Sequence, residues 1–231
     1  GDMGKAKKLI DAAVRSGVDA VKFQTYITEK RAPKGNDQIF KILKKCELPF
    51  DNFKELKDYS DNQGVDFFST PFDRESVDYL KGMGITKHKI SSFDVTNHPL
   101  LRHIANNSDS VIMSTGMANI GEVNEAYKIL QEGNVTDISL LHCVSAYPTK
   151  EIDANLNIIK TLKEKFPQCV IGHSDHTPDI KVPLYAPVSI NEYQMSSLVN
   201  EVRLLERIMG KGSLGITEAQ EGTKIFRRHG R

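Results

Sequence analysis

Short apolar segments alternate with amphipathic segments along most of this chain, and this alternation limits its fold more than any other feature. Predicted strands lie at 19–26, 65–70, 88–92, 110–115, 137–143 and 169–174. Predicted helices lie at 5–16, 51–63, 73–82, 98–105, 120–132 and 153–165. Gly17 ends the first helix, and Asp51 is the expected N-cap of the second. Apolar strands separated by helices pair in parallel beneath a helical layer, so the pattern predicts an α/β fold.

Polar side chains follow these strands at their C-terminal ends. They include Lys22, Gln24, Ser69, Thr70, Lys89, Ser91, Ser92, Ser114, Thr115, residues 142–147, Ser174 and His176. A doubly wound open sheet gathers its polar residues at one switch point. The mouth of a (β/α)8 TIM barrel collects them from every strand. Both folds are compatible with the alternation, and the distribution favours the barrel.

A complete barrel needs two strands more than the six that are legible. One would precede Gly1, and the other would follow the helix after His176. Between Ala186 and Ser189 there is no room for a strand, and a capping-box pattern at Ser189 predicts a new helix there. We therefore expect the segments for strand 1 and strand 8 to be absent from this sequence.

Composition excludes several classes of protein. Lys and Arg total 31 against 30 Asp and Glu, so no strong field favours nucleic acid or an acidic membrane surface. The three cysteines are odd in number and lack CxxC spacing, which disfavours a disulfide framework and a zinc site and suits the cytoplasm. No apolar run is long enough to span a bilayer.

Two lysines, Lys22 and Lys89, are predicted to point into the barrel mouth. Ammonium groups removed from water are costly without an anion, so we expect an anionic ligand between them. Hydroxyl donors at comparable positions are Thr70, Ser92, Ser114, Ser145 and Ser174. Cationic side chains together with small hydrogen-bond donors bind phosphate and carboxylate groups. Any one serine here is more simply an ordinary strand terminus, and only the ensemble indicates an anion site.

A metal site is the second possibility, at His176. Its neighbour Asp175 could orient the imidazole, although a histidine in a loop is more often a structural residue. A metal site needs a further ligand. His142 is a candidate unless strand alternation turns it outward, and His173 is predicted to face the helices.

Other residues near the predicted mouth allow two interpretations each. Asp94 is either a general base or an ion-pair partner of Lys89. Tyr147 either orients a substrate hydroxyl or belongs to a fixed turn. Cys143 has no identifiable base, and a buried cysteine is usually inert. Residues 116–122 contain two glycines without phosphate-loop spacing, so they predict the turn that opens a helix.

Six motifs carry a family resemblance. They are VKFQTY (21–26), STPFD (69–73), KISSFD (89–94), STGMA (114–118), LLHCVSAYPT (140–149) and IGHSDHT (171–177). In this order they resemble motifs of the sialic acid synthases, which make N-acetylneuraminate, legionaminate and pseudaminate. The resemblance covers nearly the whole chain.

The resemblance implies that phosphoenolpyruvate condenses with an N-acetylmannosamine-type sugar aldehyde. The enol carbon attacks the aldehyde, whose oxygen a divalent cation, typically Mn²⁺, polarises. Water then adds at the carbon bearing phosphate, and phosphate leaves by carbon–oxygen cleavage. The implied ligands of phosphoenolpyruvate are Lys22, Thr70, Lys89, Ser92, Ser114, Ser145 and Ser174. Gln24 and Tyr147 would face the sugar, Asp94 would lie near the reacting carbons, and His176 would bind the metal.

The chain departs from the family pattern in several places. Asp94 stands where the family has Glu, and Ser145 stands where some members have Asn. The family's second metal histidine falls in the segment expected to be absent. Residues 1–225 would be an incomplete catalytic barrel, and 226–231 would begin the linker to an absent antifreeze-like domain. In the family that domain supplies an arginine to the partner subunit, which implies a homodimer. Two alternatives stay open: another phosphoenolpyruvate-dependent keto-sugar acid synthase, and a degenerate barrel that binds an anion without turnover.

Overall fold

The computed structural model describes residues 1–32, 37–178 and 181–189. Within these residues the strands are Ala20–Thr25 (β1), Asp66–Pro71 (β2), Lys87–Ile90 (β3), Ser110–Ser114 (β4), Asp137–His142 (β5) and Val170–His173 (β6). The helices are Met3–Arg15 (α1), Thr28–Arg31 (α2), Asp37–Cys46 (α3), Phe50–Asn62 (α4), Arg74–Gly82 (α5), His98–Ala105 (α6), Ile120–Gln131 (α7), Asn157–Lys165 (α8) and Lys181–Ser189 (α9). None of these helices is long and apolar enough to cross a membrane.

The six strands form one parallel sheet whose order, β1-β2-β3-β4-β5-β6, follows the chain. A doubly wound sheet reverses its strand order at a switch point. Over the described strands there is no such reversal, so the doubly wound alternative is wrong and the α/β prediction is confirmed. Closure into an eight-stranded barrel stays a prediction.

One face of the sheet packs against the helices. Val21, Phe23 and Phe67 pack with α1 and α4, and Met113 and Leu140 belong to a second core with α6, α7 and α8. Side chains alternate between faces along a strand, so the residues between these apolar positions point to the opposite face. We call that opposite face, away from the helices, the inner face.

Several predicted helix boundaries are confirmed in detail. Gly17, with φ 73°, follows the end of α1 in a conformation that glycine adopts without steric cost. Residues 116–122 do open a helix, because Asn119 and Glu122 form a capping box at the start of α7. The Asn119 side chain accepts hydrogen bonds from the backbone N–H groups of Gly121 and Glu122, at 2.9 and 3.1 Å.

Two predicted helix starts are wrong. Asp51 is not the N-cap of α4: the helix begins one residue earlier, after Pro49. Asp51 lies in the first turn, where its carboxylate interacts favourably with the positive end of the helix dipole. Helix α8 begins at Asn157 rather than at residue 153. Asn155 has a φ of 42°, which is incompatible with a continuous helix, and a 3₁₀ turn occupies Glu151–Asp153 before it.

Helices α2 and α3 were not predicted. They lie between β1 and α4. Helix α2 is a single turn, but Ile39, Phe40, Ile42 and Leu43 give α3 an apolar stripe at helical spacing that the prediction overlooked. At the other end of the described chain, α9 runs without interruption through Ala186 to Ser189, where we expected a missing segment. The rest of the helix predicted from Ser189, and the linker at 226–231, lie outside the described residues.

Candidate functional site

Strand register places five of the predicted site residues together on the inner face. They are Lys22, Gln24, Thr70, Lys89 and Ser114. Gln24 is the neighbour of Thr70 across β1 and β2, and Lys89 is the neighbour of Ile112 across β3 and β4. Paired residues project from the same side of a sheet. Gln24, Thr70, Lys89 and Ser114 lie toward the C-terminal ends of their strands, an edge that we call the mouth. Lys22 lies on β1 two residues before Gln24.

Two lysine–hydroxyl pairs cross adjacent strands at this edge. Lys22 Nζ donates to Thr70 Oγ1 at 3.2 Å, and both atoms lie on the inner face of β1 and β2. Lys89 Nζ donates to Ser114 Oγ at 2.5 Å and to the Ile90 carbonyl oxygen at 2.9 Å. The Lys89 side chain is fully buried, and Lys22 is half-buried. The pairs present two ammonium groups and two hydroxyls along one face.

A third hydroxyl, that of Ser92, lies in the turn after β3. Its oxygen accepts a hydrogen bond from the Gly116 N–H at 3.0 Å and lies 3.0 Å from Cys143 Sγ. Glycine is required at 116, because a Cβ atom there would approach the Cys143 carbonyl oxygen to 2.5 Å and its sulfur to 2.6 Å. The loops after β3, β4 and β5 therefore meet in close contact.

The other predicted serines belong to the two loops that follow. Ser145 is half-buried in the loop after β5. Ser174 directly follows β6 and is fully buried, with its N–H donating to the His142 carbonyl oxygen at 2.8 Å.

Asp94 is buried in the 3₁₀ turn that follows β3. Its carboxylate accepts hydrogen bonds from Ser91 Oγ at 2.9 Å and from Asn97 Nδ2 at 3.2 Å. Burial raises the pKa of Asp94 above the ordinary value for aspartate, and the hydrogen bonds of Asn97 and Ser91 and the charge of Arg31 oppose that rise. Its hydrogen bonds are thus made with polar neutral groups rather than with Lys89.

His176 is held by a backbone group. Its Nδ1 lies 2.6 Å from the Val144 carbonyl oxygen. A carbonyl oxygen only accepts, so Nδ1 carries the proton and the lone pair of the neutral ring is on Nε2. The Tyr147 ring, which is 51% exposed, lies against the imidazole with 4.4 Å between centroids. This tautomer is the one that a metal-binding histidine adopts.

The expectation that Asp175 orients His176 is wrong. The Asp175 carboxylate accepts hydrogen bonds from Thr177 N at 3.2 Å and from Thr177 Oγ1 at 2.8 Å, and its Oδ1 lies 3.5 Å from His173 Nε2. An aspartate binds the backbone two residues later in an Asx turn more readily than it reaches its own neighbour.

The two other histidines near the mouth face the helices. His142 Nε2 lies 2.7 Å from the Ala154 carbonyl oxygen, and burial lowers the pKa of His142. The His173 ring lies beside it, tilted by 31°, with 5.5 Å between centroids. Alternation therefore turns both side chains away from His176. Over the described ranges, no three His, Cys, Asp or Glu side chains gather into a metal-binding set.

Sequence reasoning missed Arg31, the last residue of α2. Its Nη1 donates to Gln24 Oε1 at 3.1 Å, and its guanidinium stacks over the rings of Phe72 and Tyr26. The only signal in the sequence was a basic residue shortly after a predicted strand end. The contact with Phe72 joins residues that are far apart in the chain, so no local pattern could have revealed it.

Comparison with known proteins places this site in a family. The NeuB family profile matches residues 9–188. The N,N'-diacetyllegionaminic acid synthase of Campylobacter jejuni is 34% identical over 92% of this chain and 75% of its own length. The uncharacterized protein MJ1065 of Methanocaldococcus jannaschii is 40% identical over 92% of this chain and 69% of its own length. The crystal structure of the N-acetylneuraminic acid (sialic acid) synthetase of Leptospira borgpetersenii superposes with a TM-score of 0.79 at 33% identity, over 100% of this chain and 82% of that one. This chain belongs to the NeuB family.

Proposed function

We propose that this protein condenses phosphoenolpyruvate with an N-acetylmannosamine-type sugar to give a nonulosonic acid and inorganic phosphate. The observation that carries the proposal is the pair of lysine–hydroxyl contacts, Lys22 with Thr70 and Lys89 with Ser114, on one face of the sheet. The NeuB family match and the relatives named as legionaminic, pseudaminic and sialic acid synthases support it.

The proposed phosphoenolpyruvate site combines the two ammonium groups with hydroxyl donors. Charge-assisted hydrogen bonds to phosphate and carboxylate oxygens are about twice as strong as neutral ones. Lys22 and Lys89 supply the charges, and the proposed hydroxyl donors are Thr70, Ser92, Ser114, Ser145 and Ser174. As the carbon–oxygen bond to phosphate breaks, negative charge grows on the leaving oxygen, and fixed cations stabilise it without reorganisation.

The proposed sugar end of the site contains Gln24, Tyr147 and Asp94. The enol carbon of phosphoenolpyruvate forms a bond to the aldehyde carbon as the carbonyl π bond breaks, and the resulting alkoxide takes up a proton. Water then adds at the carbon bearing phosphate and loses one proton, and phosphate leaves by carbon–oxygen cleavage. A base must take a proton from that water. Asp94 suits this role, because burial raises its pKa toward the range of a working general base.

We also propose His176 as a ligand of Mn²⁺, because its Nδ1–H is committed to Val144 and Nε2 is the ligand atom. A bound Mn²⁺ would supply polarisation of the aldehyde oxygen. The described residues contribute this one ligand and no complete set, so the steps above use only protein groups.

A homodimer in the cytoplasm stays a prediction.

A phosphate-release assay tests the proposal. The protein would receive phosphoenolpyruvate and Mn²⁺ with N-acetylmannosamine, and then with its 2,4-diacetamido-trideoxy relatives, each with and without EDTA. We expect phosphate release that requires one sugar and that EDTA abolishes.

An isotope experiment tests the bond that breaks. Phosphoenolpyruvate labelled with ¹⁸O at the bridging oxygen should pass the label to phosphate, because carbon–oxygen cleavage keeps that oxygen on phosphorus. Binding of phosphoenolpyruvate without release under any of these conditions would contradict the synthase proposal and support an anion-binding barrel.

A further inference from the structure

Arg31 lies at the mouth, where two aromatic rings hold its guanidinium. Its guanidinium carbon lies 3.6 Å from the centroid of the Phe72 ring and 4.7 Å from that of Tyr26. Tyr26 directly follows β1 and Phe72 directly follows β2, so both rings belong to the C-terminal edge of the sheet. Stacking between aromatic rings holds a guanidinium in one plane and direction.

The short helix that carries Arg31 is anchored at its start by two carboxylates. The Ile27 N–H donates to Asp73 Oδ2 at 2.9 Å, and the Thr28 N–H donates to Glu47 Oε2 at 3.1 Å. Asp73 also caps α5 through the Ser76 N–H at 2.8 Å. Helix α2 is thus tied both to the loop after β2 and to the loop after α3, so the position of Arg31 does not depend on local helix propensity.

The contact with Gln24 fixes the direction of an amide. A guanidinium only donates hydrogen bonds, so the atom of Gln24 that faces Arg31 must be the carbonyl oxygen. The Gln24 amide N–H₂ group is then turned away from Arg31. Without this partner the amide could rotate by half a turn and present an acceptor where it now presents donors.

We propose that Arg31 is a positioning residue for the amino sugar: it fixes Gln24 with its amide donors toward the mouth, and so sets sugar affinity while leaving phosphoenolpyruvate affinity unchanged. This inference rests on the proposed function, which puts Gln24 on the sugar side. The charge of Arg31 also acts on Asp94, where it favours the carboxylate. One cation thereby organises two groups at the same end of the site.

The test uses four variants and one control. The variants are Arg31→Met, Arg31→Lys, Gln24→Ala and the Gln24→Ala/Arg31→Met double variant. The control is Lys30→Met, on the same helix, because Lys30 forms an exposed ion pair with Glu75 and does not contact Gln24. The kcat and both KM values would come from phosphate release, and the Kd of the sugar from calorimetry.

We expect Arg31→Met to raise the KM and Kd of the sugar about tenfold or more, as loss of a charged hydrogen bond predicts. The KM of phosphoenolpyruvate should change less than about twofold, as should every constant of Lys30→Met. Arg31→Lys should recover part of the sugar affinity, because it keeps the charge but loses the planar group. In the Gln24→Ala background, Arg31→Met should weaken sugar binding no further than about twofold.

Three outcomes would overturn the role of Arg31. They are an unchanged sugar KM in Arg31→Met, an equal rise in both KM values, and an effect that multiplies with that of Gln24→Ala. Failure of the proposed function looks different, because the wild-type protein itself would then release no sugar-dependent phosphate. If the wild-type protein binds sugar without turnover, the sugar Kd values from calorimetry still test the role of Arg31. A wild-type protein that binds no sugar would refute both proposals.

Discussion

The two lysine–hydroxyl pairs of the inner face sit in different environments. Lys22 on β1 is half-buried and donates to the side chain of Thr70. Lys89 on β3 is fully buried and donates to Ser114 and to the backbone carbonyl of Ile90. The difference shows that comparable positions on two strands of the same sheet can hold a cation at the edge of water or inside the protein. We expect Lys22 to act mainly on substrate affinity and Lys89 mainly on the chemical step.

Exchanging each lysine for methionine tests this contrast and should give the largest effect. A charge in a water-poor site stabilises developing negative charge strongly, so Lys89→Met should lower kcat about a thousandfold. Lys22→Met should chiefly raise the KM of phosphoenolpyruvate. Because removal of a buried charge also removes its desolvation cost, the free energy of unfolding of Lys89→Met should stay within about 2 kcal/mol of the wild type. Phosphate release and urea denaturation measure the two effects, and equal kinetic changes in both variants would remove the contrast.

His88 extends the comparison to the helix-facing side of β3. It is fully buried beside Ser108, and burial lowers the pKa of His88 to about 4. Between about pH 6.5 and 4 the unfolded chain therefore binds a proton that the folded protein refuses, so stability is complete above that window and falls with the pH inside it. The loss amounts to about 3 kcal/mol.

Denaturation by urea at a series of pH values measures this slope. His88→Asn should flatten it, even though the substitution itself costs stability at neutral pH. His98→Gln is the matched control, because the His98 side chain is 36% exposed and should leave the slope unchanged. A wild-type slope that survives in His88→Asn would assign the acid sensitivity to another group.

Gly116 tests how tightly the β4 end of the mouth is packed. Gly116→Ala would force a Cβ atom against the Cys143 carbonyl oxygen, so we expect destabilisation of about 2 kcal/mol. Gly82→Ala is the control, because a Cβ there meets nothing within 4 Å, and it should be neutral or stabilising. Thermal unfolding of both variants gives the comparison. Equal stability of the two would mean that the loops after β4 and β5 separate easily.

Ser91 should give the smallest effect. Its hydroxyl donates to Asp94 and lowers the pKa of that carboxyl, so Ser91→Ala should raise it. If Asp94 acts as the base, activity is present only above this pKa, and the acid limb of the kcat/KM profile should move to higher pH. Ser91→Thr keeps a hydroxyl and should leave the limb in place. A profile that does not respond to Ser91→Ala would exclude Asp94 as the titrating base.

The sequence was sufficient to predict most of the architecture and the position of most polar side chains. Strand alternation depends only on local chain geometry, so the location of Lys22 and Gln24 on one face followed from the pattern. For His142 the pattern left two orientations open, and the structure shows the one toward the helices. Capping at Asn119 is equally local. Such features are decided within a few residues of the chain.

Tertiary structure alone decided the features that join distant segments. Helix α2 exists where Asp73 and Glu47 bind its first N–H groups, and Arg31 reaches Gln24 because Phe72, directly after β2, stacks against its guanidinium. The difference in burial between Lys89 and Lys22 also arises from the surrounding strands. Desolvation and stacking depend on which segments meet in space, and the order of residues along the chain does not contain that information in any local pattern.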